Sequence, residues 1–94
     1  MNIEIQHNKE YGIFQTTINN EKSFLSYRKK SVDTLEFYET FVPEKNRGQK
    51  IASQLALRAM SYVQENHLKI IPTCSFVSAF VKKNQEFNDL VAKA

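Results

Sequence analysis

The chain has 94 residues, 41% hydrophobic and 24% charged, so it is neither disordered nor collagen-like and has room for a single domain, residues 1–94. Thirteen basic against ten acidic residues give a formal charge of +3, a mild excess that suits a phosphate-bearing ligand and argues against a nucleic-acid binder, whose charge is denser on one face. No apolar run nears the roughly 20 residues of a membrane-spanning helix, Met1 to Glu10 lacks the pattern of a signal peptide, and the lone Cys74 excludes an internal disulfide.

The expected setting is therefore the cytoplasm, with no membrane partner. His7 and His67 lie far apart in sequence and suggest no metal site. Seven Phe and four Tyr must supply much of the core of so short a chain.

In chain order, Asn2–Gln6 alternates around Ile3 and Ile5 and predicts a short strand. Residues 11–18, rich in Ile, Phe and Thr, predict a second. Asn19 to Lys22 is a polar turn whose asparagines tolerate left-handed backbone. Ser23–Arg28 is a third strand, Lys29 to Ser31 a polar break, and Thr34–Val42 a fourth strand, together an antiparallel meander.

The period then changes. From Arg47 to Glu65 polar residues recur every three or four positions around Ile51, Leu55, Ala59 and Val63, which predicts an amphipathic helix. Pro43 ends the strand before it. Leu68–Thr73 reads as a strand and Ser75–Lys83 as a second helix, with Phe87, Leu90 and Val91 folding back on the core. The strand–helix–strand unit predicts a right-handed crossover between parallel strands. The fold class is α/β (α+β), a mixed sheet in the order β-β-β-β-α-β-α.

Chemistry concentrates in residues 41–53, Phe-Val-Pro-Glu-Lys-Asn-Arg-Gly-Gln-Lys-Ile-Ala-Ser. A strand ends, a polar loop follows, and a helix begins at small residues. Unpaired N–H groups and the helix dipole make such a start an anion site. Gly48 and Ala52 let a phosphate approach the backbone, and Lys45, Arg47 and Lys50 add charge. A basic helix start without a ligand fits these residues equally well.

Arg47-Gly48-Gln49-Lys50-Ile51-Ala52 resembles motif A of the GNAT N-acetyltransferase superfamily, Arg/Gln-x-x-Gly-x-Gly/Ala. Ile70-Ile71-Pro72-Thr73-Cys74-Ser75-Phe76-Val77 is similar to the Pro-x-Cys-x-Phe/Tyr-Val segment of the minimal, stand-alone YjdJ-like group, and Asp89-Leu90-Val91 fits it too. The resemblance implies a shortened GNAT sheet that takes acetyl-CoA, or another short acyl-CoA, as donor and an amine of unknown identity as acceptor. It implies that the strands ending at Val42 and starting at Leu68 splay apart around the pantetheine arm. Phe41 and Val42 would hold the arm by their backbone, and Arg47, Gly48, Gln49, Lys50, Ala52 and Ser53 would surround the pyrophosphate. Lys82, Lys83 and Asn84 would reach the adenosine phosphate. Lys50 departs from the motif, which has glycine there. It must keep helical angles with its side chain turned away, or touch a phosphate itself.

Two residues are candidate catalysts. Cys74 sits between a strand end and a helix start, a place that can activate a thiol; a small buried hydrophobe or a wall of the acyl site are the other readings. Glu39 falls by alternation on one face with Leu35, Phe37 and Phe41, which suits a buried general base. A bulge in that strand would turn it to solvent instead. His67 reads as a helix-end residue, His7 as exposed, and Tyr27 and Tyr38 as core or cleft lining. The tyrosine that serves many GNAT enzymes as general acid lies beyond this chain's length. The rivals to an acyltransferase are a non-catalytic acyl-CoA-binding module on the same fold and a basic nucleic-acid-binding domain.

Overall fold

The computed structural model describes residues 3–93. Five strands form one sheet in the order β1-β2-β3-β4-β5: β1 Gln6–Asn8, β2 Ile13–Ile18, β3 Glu21–Ser31, β4 Thr34–Phe41 and β5 Lys69–Pro72. Helix α1, Ile51–Glu65, links β4 to β5, and α2, Ser75–Lys83, follows β5. The first four strands are an antiparallel meander, and β5 lies parallel to β4. This is the mixed α+β architecture that the change of period implies.

Asn19 and Asn20 close the β2–β3 hairpin with φ of 53° and 66°, the two left-handed residues that a tight hairpin needs to match the strand twist. Gly12 ends the β1–β2 connection at φ 67°, and a Cβ there would sit 2.4 Å from the Tyr27 carbonyl oxygen. Only glycine lets the backbones come that close.

One face of the sheet carries the core. Phe14, Leu25, Phe37 and Ile70 are fully buried against Leu55, Ala59 and Val63 of α1 and Val77 of α2. Phe87 joins them, and Leu90 and Val91 pack alongside, so the tail folds back as its apolar residues imply. On the opposite face Phe41, Ile71 and Tyr38 remain exposed. Among the described residues no helix is long and apolar enough to cross a membrane.

The first strand is shifted from its expected place. Asn2 lies outside the described residues. Pairing with β2 begins only at Gln6, while Ile3 and Ile5 pack against the core without joining the ladder. β3 is longer than its apolar stretch, because pairing with β4 carries it through Lys29 and Lys30 to Ser31. It also outruns β2. The ladder between them stops at Ile13–Ser26, Tyr27 N–H reaches Gly12 O at 2.8 Å, and residues 28–31 have a strand on one side only among the described residues.

His7 is not the exposed residue its position suggests. Its ring stacks on Phe14 at 4.0 Å, meets the edge of Tyr62 at 4.4 Å, and its Nε2 lies 2.7 Å from the Tyr27 hydroxyl. Burial first, then the charges of Arg58 and Lys9, lower its pKa from 6.5 to about 4. The unfolded chain therefore binds a proton that the folded chain refuses between those values. The stability this gives is complete above pH 6.5 and drains away as pH falls toward 4. Denaturant midpoints followed across that window should fall for the wild type and fall less for His7→Phe. Identical slopes for the two would show that His7 does not carry the effect.

Candidate functional site

β4 and β5 part company at one end. Their parallel ladder runs from Thr34–Lys69 to Phe37–Pro72 and stops. β4 continues along β3 as far as Phe41, while the chain after Pro72 bends away into α2. A bulge marks the parting. Ser26 pairs with Glu39 but Tyr27 pairs with Phe37, so Tyr38 is an extra residue in β4. A gap between diverging strands can admit an extended ligand arm without breaking hydrogen bonds that the sheet needs.

The bulge inverts the pleat beyond it. Glu39 is exposed on the open face, paired with the buried Ser26 and opposite Leu35 and Phe37. Strict alternation put it among those apolar side chains, and that placement is corrected. Thr40 takes the inward direction instead. It pairs with the fully buried Leu25, and its Oγ1 lies 3.1 Å from Cys74 Sγ.

Cys74 stands at the residue preceding α2. Its backbone N–H donates to Phe37 O at 2.9 Å, at the last rung of the β4–β5 ladder. Its thiol bridges toward β4 through Thr40, so it sits between the separated strands, half-buried. Glu36 braces the same junction from the other face. Its carboxylate accepts a bond from the Thr73 hydroxyl and lies 3.6 Å from Arg28 Nε and 3.7 Å from Lys30 Nζ. The Thr73 bond and then the two cations hold its pKa below the ordinary carboxylate value.

Beside the parting lies the start of α1. The helix begins at Ile51, four residues later than its polar spacing suggests, because Gly48 and Lys50 both have left-handed backbone, with φ of 84° and 62°. Lys50 thus departs from the first of the two expectations for it, helical angles. It adopts the glycine-like conformation itself, at a cost of roughly 1–2 kcal/mol. Among the described residues no side chain caps α1, and its first turn holds no acidic residue. Its leading N–H groups are left for an anion.

A cavity of about 300 Å³ opens at this helix start, lined by Val42, Asn46, Arg47, Gly48, Lys50, Ile51, Ala52, Ser53 and Phe76. A lining that combines Arg47, Lys50 and a helix start with Val42, Ile51 and Phe76 suits a ligand that is anionic at one end and apolar along its arm. Arg47 shapes the loop from within, its Nε donating to Val42 O at 2.9 Å. A larger cavity of about 530 Å³ lies beside the β3–β4 hairpin and the far half of α1, between Tyr11, Tyr27, Lys29 and Tyr62. It has no helix start and no cysteine, so its size does not make it the site.

Of the residues expected from sequence, Val42, Arg47, Gly48, Lys50, Ala52 and Ser53 converge on the smaller cavity. Gln49 is exposed in the bend before α1 and does not line it. The Phe41 ring turns to the open face and meets Phe24 at a tilt, 5.6 Å between ring centres. Asn84, expected at the adenosine phosphate, closes the C-terminal end of α2, its Nδ2 donating to Phe80 O at 2.8 Å, and does not line this cavity. Three residues beside these sites are not among the site residues expected from sequence. Thr40 needed the bulge to face Cys74, Phe76 needed the path of α2, and Asn46 needed its burial.

The profile of GCN5-related N-acetyl-transferases matches residues 10–90. The chain is 36% identical to protein NATD1 of Danio rerio over 84 residues, which is 87% of this chain and 76% of that protein. It is 32% identical to NATD1 of Xenopus tropicalis, with 87% and 77% covered, and 30% identical to NATD1 of Homo sapiens, with 87% and 74% covered. Among solved structures, the NMR structure of a GCN5-like protein from Staphylococcus aureus superposes with a TM-score of 0.76 at 25% identity, covering 97% of this chain and 89% of that one.

Proposed function

The chain belongs to the GCN5-related N-acetyltransferase family, and on that premise we propose that it transfers an acetyl group from acetyl-CoA to an amine. The observation that carries the proposal is the uncapped start of α1 lying beside the parting of β4 and β5. An anion site and a slot for an arm occur together there. Acetyl-CoA supplies an activated thioester when it binds.

The chain's own residues do the rest. The N–H groups of the first turn of α1, with Gly48 and Lys50, hold the phosphates. Val42 and Phe76 flank the arm and exclude water from it. Backbone at Phe41 and Val42 orients the carbonyl, whose developing charge a fixed N–H dipole stabilises. Cys74 and Thr40 close the inner end. Glu39, facing solvent on the open side of β4, takes the amine proton through a water it holds.

Acetyl-CoA titrated into the protein should bind, and a panel of amines should then release free CoA thiol at rates above the uncatalysed reaction. Binding without any turnover favours the non-catalytic acyl-CoA-binding reading. Failure to bind acetyl-CoA removes both.

A further inference from the structure

Asn46 ends the short 3-10 turn Glu44–Asn46 that leads into the α1 loop. It is only 2% exposed. Its side-chain Nδ2 is buried and has no hydrogen-bond partner among the described residues, although the backbone around it is fixed by Asn46 N–H to Pro43 O at 2.9 Å. Asn46 is one of the residues lining the 300 Å³ cavity, together with Gly48, Ala52 and Ser53. A buried donor left unpaired is expensive, and native structures avoid it unless a ligand or water completes the bond. An apolar residue of the same shape would remove that cost outright.

From this geometry we infer that Asn46 is a direct contact of the acyl donor, its Nδ2–H donating to an acceptor oxygen of the ligand seated at the start of α1. The inference rests on the reading of this cavity as the acyl-CoA site. An amide N–H needs only an oxygen lone pair, and the donor presents such oxygens on its pyrophosphate and on the amides of its arm. Either one would pair the orphaned group and shut it from water.

Calorimetric titration of CoA into wild type, Asn46→Leu and Asn46→Asp tests this without requiring turnover. Asn46→Leu should weaken CoA binding about 10-fold, the value of one hydrogen bond, while the thermal midpoint of the unliganded chain holds or rises because the unpaired donor is gone. Asn46→Asp keeps the shape, replaces the donor by an acceptor, and should weaken binding further; it carries the test alone if the leucine variant does not fold. Repeating the titrations with ADP and with pantetheine, which has the arm's amides and no phosphate, separates the two oxygens: the loss follows ADP if the pyrophosphate is the partner and pantetheine if the arm is. CoA affinity within twofold of wild type in the folded variants overturns the contact and leaves the cavity's assignment standing. No CoA binding by the wild type overturns the assignment and the contact together.

Discussion

Ala52→Glu is expected to abolish acetyl-CoA binding and leave the chain folded. Ala52 is the second residue of α1 and lines the cavity at its start. A carboxylate there would stand where the helix offers its unpaired N–H groups and would compete with a phosphate for them. It would also fill space that the methyl leaves open. For the helix itself the change is favourable. The first turn of α1 has no acidic residue, and a negative charge there gains roughly 0.3–1 kcal/mol from the helix dipole. Affinity and stability should therefore move in opposite directions, which separates a binding defect from a folding defect. Calorimetry and thermal melts on the same preparation give both. Unchanged affinity in a folded Ala52→Glu variant would place the phosphates elsewhere.

Removing the Cys74 thiol should cut turnover by roughly two orders of magnitude or more if the acetyl group passes through it. In that route Sγ attacks the thioester carbonyl as its proton leaves, CoA departs as thiol, and the acceptor amine then displaces the sulfur to give the amide. Cys74 has the right setting, between the parted strands, at the residue before α2 and 3.1 Å from Thr40 Oγ1. Incubation with acetyl-CoA alone should leave an acetyl mass on the intact wild-type protein and none on Cys74→Ala. Cys74→Ser keeps the bond to Thr40 but loses the better nucleophile, so it should resemble Cys74→Ala in rate and the wild type in stability. If Cys74→Ala retains turnover within a few-fold, the residue fills space at the acyl end and the amine attacks the thioester directly.

The elements with a strong period were legible in the sequence. α2 falls on Ser75–Lys83 as its apolar spacing requires, and the paired asparagines announce the β2–β3 turn because few other residues accept positive φ. The anion cradle was legible as well, since Gly48, Ala52 and the basic residues around them are close in sequence. Contacts between distant residues were not. Nothing near Glu39 in sequence tells of the extra residue at Tyr38, which exists because β3 and β4 pair out of step. One such residue reverses every side chain after it. His7 meets Tyr27 across 20 positions, and Asn46 reads as an ordinary loop residue until the fold closes over it. The late start of α1 was hidden for a local reason. Lys50 gives no outward sign of left-handed backbone, as the motif's glycine would have done.

The overhang of β3 beyond β2 has a bearing on how copies of the chain behave in concentrated solution. Between Arg28 and Ser31 the strand has a free flank among the described residues, and an unpaired flank is a template on which another strand can add. That stretch reads Arg28-Lys29-Lys30, all exposed. Two such edges brought together would oppose three positive charges on each side before a single hydrogen bond could form. The repulsion acts over about 10 Å at 0.1 M salt and shrinks to about 3 Å at 1 M. These three cations, of which Arg28 and Lys30 also flank Glu36, thus serve as a guard against sheet-to-sheet growth, one that weakens as salt rises.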